Sequence, residues 1–228
     1  MAVDTDPDWG NEQRRLLERV IAETLATGNQ TGCYALSARV LAALAATPRH
    51  RFVPMEQQPW AYADRPLPIG RGQTISQPFI VALMTELLEL EPASVVLEIG
   101  TGSGYQAAVL AQLARQVYSV ERIPELAATA DRRLRELGFG NVALCVADGG
   151  LGWVEHEPFD GIIVTAAAVE IPPALVRQLK PGGRLVIPVG PPGHTQDLRR
   201  LRKDAQGQIS SRSVLPVVFV PLIHESER

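Results

Sequence analysis

The chain has 228 residues, 46% of them hydrophobic, with 25 acidic against 22 basic side chains and a formal net charge of −3. That length suits one α/β domain with decorations and a substantial core, and argues against two independent domains. A mildly acidic balance creates no field that gathers nucleic acid or a membrane surface, and no apolar stretch reaches the length of a membrane span.

In chain order, Met1-Ala-Val-Asp-Thr-Asp-Pro-Asp8 is acidic where a secretion signal would be basic and then apolar, so a soluble cytoplasmic protein is expected. From Glu12 to Thr27, Leu16, Leu17, Val20, Ile21 and Leu25 recur at helical spacing, and Gly28-Asn29 supplies a stop. A second helix is expected over Ser37 to Ala46, ending before Thr47-Pro48 because proline disfavours a helical residue ahead of it. Arg49 to Ser76 reads as a long loop, rich in proline and glycine but carrying Phe52, Trp60 and Tyr62, aromatics that favour an ordered, functional segment. Gln77 to Leu88 reads as an amphipathic helix, with Ser76 at its N-cap position.

The pattern then becomes regular. Strands are expected at Val95–Ile99, Val117–Val120, Val142–Val146 and Ile162–Thr165, and helices at Gly104–Ala114, Pro124–Leu137 and Pro173–Leu179. Such alternation implies parallel strands joined by right-handed crossovers. Pro181-Gly-Gly183 makes a turn into a strand at Arg184–Pro188. Leu198–Arg202 and Val214–Leu222 follow with no helix between them, so the sheet finishes with antiparallel pairing. The expected fold class is therefore α/β and Rossmann-like: a mostly parallel twisted sheet, helices on both faces, an antiparallel C-terminal hairpin and added N-terminal helices. One domain over residues 1–228 divides into helices and a substrate loop (1–75), a cofactor core (76–190) and closing strands (191–228). Cys33 and Cys145 stand apart, the second inside a strand where a buried inert thiol is usual, so no disulfide is expected. His50, His156, His194 and His224 lack metal-ligand spacing, and no metal site is expected.

The informative segment is Val95-Val-Leu-Glu-Ile-Gly-Thr-Gly-Ser-Gly-Tyr105, a buried run that ends on an acid and breaks into three alternating glycines. Glycines let the backbone turn sharply after a parallel strand and approach a ligand, while the next helix points its first amides at the site. The spacing Gly-x-Gly-x-Gly differs from the dinucleotide Gly-x-Gly-x-x-Gly because position 105 is Tyr. Glu121 closes the following strand, where a carboxylate accepts both ribose hydroxyls of an adenosine group. Glu98 repels phosphates but suits the cationic end of S-adenosylmethionine, directly or through water. A dehydrogenase of this size opens on its glycine turn, whereas here a helical prologue precedes it, as in S-adenosylmethionine-dependent methyltransferases. A tight turn with no ligand is the plainer reading of the glycines.

Several segments together are family-specific. They are Pro48-Arg-His-Arg-Phe-Val-Pro54, Leu67-Pro-Ile-Gly70, Gln73-Thr-Ile-Ser-Gln-Pro78, Leu97-Glu-Ile-Gly-Thr-Gly-Ser-Gly-Tyr-Gln106, Tyr118-Ser-Val-Glu-Arg122, Phe159-Asp-Gly-Ile-Ile-Val-Thr-Ala-Ala167 and Leu179-Lys-Pro-Gly-Gly183. Over most of its length the chain resembles the protein-L-isoaspartate O-methyltransferases, class I enzymes that repair aged proteins. The resemblance implies transfer of a methyl group from S-adenosylmethionine, leaving S-adenosylhomocysteine, to the α-carboxylate of L-isoaspartyl residues in peptides and proteins. The resulting ester collapses to succinimide. A carboxylate with a pKa near 4 is already ionised at neutral pH, so the reaction needs no general base.

The resemblance makes Ser76 the active-site serine, whose hydroxyl orients the attacking carboxylate; helix capping is its alternative role, and the two are compatible. It places Gln73, Thr74 and Ile75 beside cofactor and substrate, and wraps Gly100, Thr101, Gly102, Ser103 and Gly104 around the cofactor. Glu121 holds the ribose diol and Asp148 the adenine amino group, although Asp148 is equally a turn former before Gly149-Gly150. Glu98, Tyr105, Arg122, Gly149 and Thr165 complete the expected cofactor set. Phe219-Val-Pro-Leu222 shapes the peptide groove. Two departures from the family stand out: Ala147-Asp148-Gly149 replaces Gly-Asp-Gly, and Val218 stands where bacterial relatives often carry Arg. The basic run Leu198-Arg-Arg-Leu-Arg-Lys203 reads as a solvated strand face, with no nucleic-acid or membrane partner expected. The bulk of protein substrates favours a monomer with an exposed cleft. A dedicated peptide substrate and a non-catalytic cofactor-binding module are the rival readings.

Overall fold

Residues 8–222 are described in the structure, a computed structural model. The acidic N-terminal segment 1–7 and His224 lie outside them. Helix α1 (Trp9–Ala26) begins three residues before the expected start because the Asp8 carboxylate accepts the Asn11 amide at 3.1 Å and caps it. Its inward stripe is Leu16, Val20 and Thr24; Ile21 and Leu25 of the expected apolar face are exposed. Gly28 does not stop the chain but opens a short α2 (Gly28–Thr31), pressed against the Tyr34 ring so closely that a Cβ would stand 2.4 Å from it. Helix α3 (Ala38–Ala46) is capped by Ser37 and ends before Thr47-Pro48.

The expected long loop is more structured than its composition indicates. It contains two 3-10 turns, Arg49–Phe52 and Met55–Trp60, then an antiparallel hairpin of β1 (Leu67–Gly70) and β2 (Gln73–Ile75). Arg71 and Gly72 make the hairpin turn with left-handed φ values of 54° and 70°. Phe52 and Tyr62 are buried, and Trp60 is exposed under the Arg65 guanidinium. Helix α4 (Pro78–Leu87) buries all but Glu86 of its residues, because α1 and α3 pack on one side of it and the sheet lies on the other. That replaces the amphipathic helix expected there.

The seven-stranded sheet comprises β3 (Val95–Ile99), β4 (Gln116–Glu121), β5 (Val142–Val146), β6 (Phe159–Val164), β7 (Leu179–Val189), β8 (Gln196–Lys203) and β9 (Ile209–Val217), in the order β5-β4-β3-β6-β7-β8-β9. The first five of that order are parallel, and β8 runs antiparallel to both neighbours. The expected α/β fold class with an antiparallel C-terminal hairpin is what the chain forms. Helices α5 (Tyr105–Ala111), α6 (Pro124–Glu136) and α7 (Pro173–Gln178) fill the crossovers. Strand β7 runs through Pro181-Gly182-Gly183 instead of starting after it, with a register irregularity opposite Phe159/Gly161. Strand β9 stops at Val217, and the chain returns to the body of the protein where Pro221 bridges to Ala167.

Alternation along the strands divides the core. Val96, Val117, Ile163 and Val186 join the N-terminal helices, α4 and α5 on one face, while Leu97, Val120, Ile162 and Leu185 join Leu175 of α7 on the other. The order reverses between β3 and β6, so a crevice opens beyond their carboxyl ends, the standard ligand position of such sheets. Among the described residues no helix is long and apolar enough to cross a membrane, and no three His, Cys, Asp or Glu side chains converge as a metal site requires. Both cysteines are free thiols; Cys33 is buried, but Cys145, expected to be buried, is only partly so. The basic run is consumed in the sheet. Arg184 and Arg200 share Glu89, and Lys203 donates to the carbonyl of Leu179 at 2.7 Å.

Candidate active site

The chain leaves β3 through Gly100, Gly102 and Gly104, all left-handed, with φ of 96°, 52° and 86°. Only glycine adopts these values without strain. Gly100 is also a close approach: a Cβ would stand 2.5 Å from Thr165 Oγ1. That hydroxyl lies 2.6 Å from the Gly100 carbonyl and 3.0 Å from that of Ile99, tying the turn to the end of β6. Across the turn, Glu121 at the end of β4 accepts the Gly102 amide at 2.7 Å and the Ile123 amide at 2.9 Å. A carboxylate offers about four acceptor sites, so both oxygens keep capacity for a diol.

These ends border an open cleft. Of the expected residues, Gln73, Thr74, Gly100, Gly102, Glu121, Arg122, Gly149 and Thr165 line it, joined by Ile99, Val120, Ile123 and Leu222. Gly149 lies so close to the cleft floor that a Cβ would stand 2.3 Å from Ile99 Cγ2. A flat ring between apolar Ile99, Ile123 and Leu222, with a diol at Glu121, is the ligand shape this lining suits. Asp148 stands outside the lining. It accepts the Gly150 amide at 2.8 Å, the turn-forming role, and lies 3.9 Å from Arg122.

Six more expected contacts lie outside the lining, each for a visible reason. Ile75 packs into the core, Thr101 Oγ1 is 2.6 Å from Ser119 Oγ, and Ser103 Oγ accepts the Tyr105 amide. Gly104 abuts Ala130 and Leu134 of α6, and Tyr105 is buried under the Arg49 guanidinium, 5.0 Å from its ring centre. Glu98, expected to face a cationic ligand, points instead into the α5 face of the sheet, in register with Val96. It is fully buried and hydrogen-bonded by Ser119, beside the Ala107 backbone of α5. Burial pushes its pKa up to about 8, aided by the charge of Glu121 and opposed by the Ser119 hydrogen bond.

A second cleft, with a volume of about 520 Å³, adjoins the first and shares Thr74, Thr165 and Val220 with it. Ser76 lines this second cleft with Gln77, Phe79, Thr195 and the 215–220 segment. Its hydroxyl makes no hydrogen bond among the described residues, while its carbonyl accepts Arg49 Nη2 at 2.8 Å. The helix-cap role of Ser76 is overturned: Gln77 occupies the N-cap of α4, Pro78 follows at the first helical position, and the Phe79 amide is accepted by the Asp64 carboxylate instead. Val218, the departure from the family pattern, is exposed on the rim.

Sequence reasoning missed Arg49. It is 0% exposed, gives Nε to the Ala61 carbonyl at 2.9 Å and Nη2 to Ser76, and so ties the substrate-side segment to Tyr105 behind the glycine turn. Burial lowers its pKa from the ordinary arginine value, and the nearby Tyr105 and Asp64 oppose that. Its position in the charged triplet Arg49-His50-Arg51 hid it, since such runs are normally exposed. Glu23 was missed too, because it reaches the second cleft from α1.

The family model described as protein-L-isoaspartate(D-aspartate) O-methyltransferase matches residues 22–227. A protein-L-isoaspartate O-methyltransferase 2 of Syntrophobacter fumaroxidans is 52% identical, over 95% of this chain and 88% of the relative. Another of that name from a Polaromonas species is 55% identical over 91% and 98%. Among solved structures, a protein-L-isoaspartate O-methyltransferase superposes with a TM-score of 0.76 at 29% identity, covering 90% of this chain and 65% of the other. A Plasmodium falciparum protein crystallised with S-adenosyl-L-homocysteine shares the fold at a TM-score of 0.77 and 24% identity, covering 96% of this chain and 99% of its own.

Proposed function

Because the chain belongs to the protein-L-isoaspartate(D-aspartate) O-methyltransferase family, we infer that it methylates the α-carboxylate of L-isoaspartyl residues in damaged peptides and proteins, using S-adenosylmethionine. The ester formed collapses to succinimide, and the cofactor leaves as S-adenosylhomocysteine. The observation that carries the site assignment is the shared wall of Thr74, Thr165 and Val220 between two clefts, one built for an adenosine group and one exposing a free serine hydroxyl.

The cofactor, when bound, supplies an electrophilic methyl group on a sulfonium. The chain's residues fit it: Gly100, Gly102 and Gly149 line the cleft with backbone alone, and Glu121 keeps acceptor capacity for the ribose. Ser76 donates to the substrate carboxylate and aims it at the shared wall. Arg49 fixes the backbone of Ser76 from behind. No side chain needs to remove a proton, because the attacking carboxylate is ionised at neutral pH. Rate then comes from alignment and exclusion of water.

In this reading the 1–75 segment supplies the substrate wall, 76–190 the cofactor core and 191–228 the closing strands. The division is not sharp, since Gln73, Thr74 and Leu222 also line the cofactor cleft. Gln73, Thr74, Gly100, Gly102, Glu121, Arg122, Gly149 and Thr165 are assigned to the cofactor. A monomer acting in the cytoplasm suits a cleft that must admit folded or partly folded proteins. Labelled S-adenosylmethionine and matched peptides differing only in isoaspartate or aspartate test the reading. Label is expected in the isoaspartyl peptide alone, and equal or absent labelling of both rejects it.

A further inference from the structure

Glu23 lines the second cleft on the same wall as Ser76 and Gln77. Its carboxyl neighbours that of Asp64 and the Gln77 side chain. Asp64 is itself held, with one oxygen accepting the Phe79 amide at 3.0 Å at the first turn of α4 and the other 3.4 Å from Gln77 Nε2. Two carboxyls in contact cannot both stay ionised without strong repulsion, so such a pair holds one proton over a range of pH. Burial first, and then the neighbouring Asp64 carboxyl, together raise the Glu23 pKa to about 7, with Gln77 opposing.

The other charged groups around the pair are already engaged. Arg19, one turn earlier on α1, donates to the Tyr62 carbonyl at 2.6 Å, and Arg49, whose charge interacts with Asp64, is bound to Ala61 and Ser76 carbonyls beside the Tyr62 and Tyr105 hydroxyls. The opposite wall, Thr195 and residues 215–220, carries no charge. A second negative charge appearing on the pair therefore acts on whatever anion occupies the cleft.

Resting on the reading that this cleft takes the isoaspartyl segment, we propose that the Glu23–Asp64 pair is a specificity element that sets peptide affinity by the number of charges it holds. With one proton the wall admits the substrate carboxylate; without it the wall repels that carboxylate. The effect falls on peptide KM and not on methyl transfer once the peptide is bound.

The test is peptide KM from about pH 6 to 8.5 at saturating cofactor, with an N-acetylated, C-amidated isoaspartyl peptide free of other titrating side chains. Its carboxylate is ionised throughout. In the native chain KM rises about fivefold across this range, as expected for charges several ångströms apart in a partly wet cleft, and kcat changes less. In Glu23→Gln the KM profile is flat. Glu23→Ala, which removes the same carboxyl, flattens it as well and stands in if the first variant does not fold by circular dichroism. A flat native profile overturns the proposal, as does an unchanged slope in the variants. No isoaspartyl methylation at any pH would instead reject the function assigned to the cleft.

Discussion

Gly100→Ala is the sharpest perturbation of the glycine turn, because two separable costs meet there. Alanine at φ 96° costs about 1–2 kcal/mol relative to glycine. Its Cβ would also stand 2.5 Å from Thr165 Oγ1, and moving that hydroxyl breaks its bonds to the Gly100 and Ile99 carbonyls, worth about 1 kcal/mol in all. The sum, about 2–3 kcal/mol, lowers the melting midpoint of a chain this size by about 4–12 °C. If the displaced turn also loses cofactor geometry, affinity for S-adenosylhomocysteine falls about 30-fold or more, by the tenfold per 1.4 kcal/mol rule. Gly182→Ala is the control: φ is 86° but nothing lies within 4 Å of the added Cβ, so it bears the backbone cost alone. Calorimetric titration and thermal melts of both variants decide. Native cofactor affinity in Gly100→Ala, or equal loss in Gly182→Ala, would refute the role of the Gly100–Thr165 contact.

Ser76→Ala lowers kcat on isoaspartyl peptide by about tenfold or more while the midpoint stays within about 2 °C, because the hydroxyl caps nothing; a large midpoint drop would restore a structural role. Glu121→Ala strands the Gly102 and Ile123 amides at about 1–3 kcal/mol each and abolishes measurable cofactor binding, and retained binding would remove Glu121 from the site. For Glu98 the sign follows from a folded pKa near 8 above the ordinary 4.5. Its stabilising contribution is complete below the unfolded value and is lost as pH rises through the folded one. Glu98→Gln therefore loses less midpoint than the native chain between about pH 5 and 8.5; parallel curves would show that the acid is ionised throughout.

Much of the fold was legible because buried parallel strands read as short apolar runs, as in Val95–Ile99 and the Ile162–Val164 half of β6, and because the glycine turn names its own geometry. The β1–β2 hairpin was not, since Leu67-Pro-Ile-Gly70 and Gln73-Thr-Ile75 are too short to show alternation and the turn rests on a left-handed Arg71. Strand β7 was cut short in the reading because Pro-Gly-Gly signals a turn, and only its pairing with β6 carries it through. At the site, Glu121, Gly100 and Ser76 could be found from spacing and resemblance. The burial of Glu98 could have been found by strand parity, as it shares a face with Val96. Arg49, Glu23 and Asp64 could not, because charged residues in loops or on a helix's polar face reach a cleft only through tertiary packing.

The central claim is that one wall, Thr74, Thr165 and Val220, brings a cofactor methyl group to a carboxylate oriented by Ser76. A crystal structure with S-adenosylhomocysteine and an isoaspartyl peptide tests it most directly. The account predicts the sulfur in the glycine-lined cleft and the peptide carboxylate in the adjoining one, within about 3 Å of Ser76 Oγ. A carboxylate bound away from that hydroxyl, with the sulfur not facing it, would contradict the account.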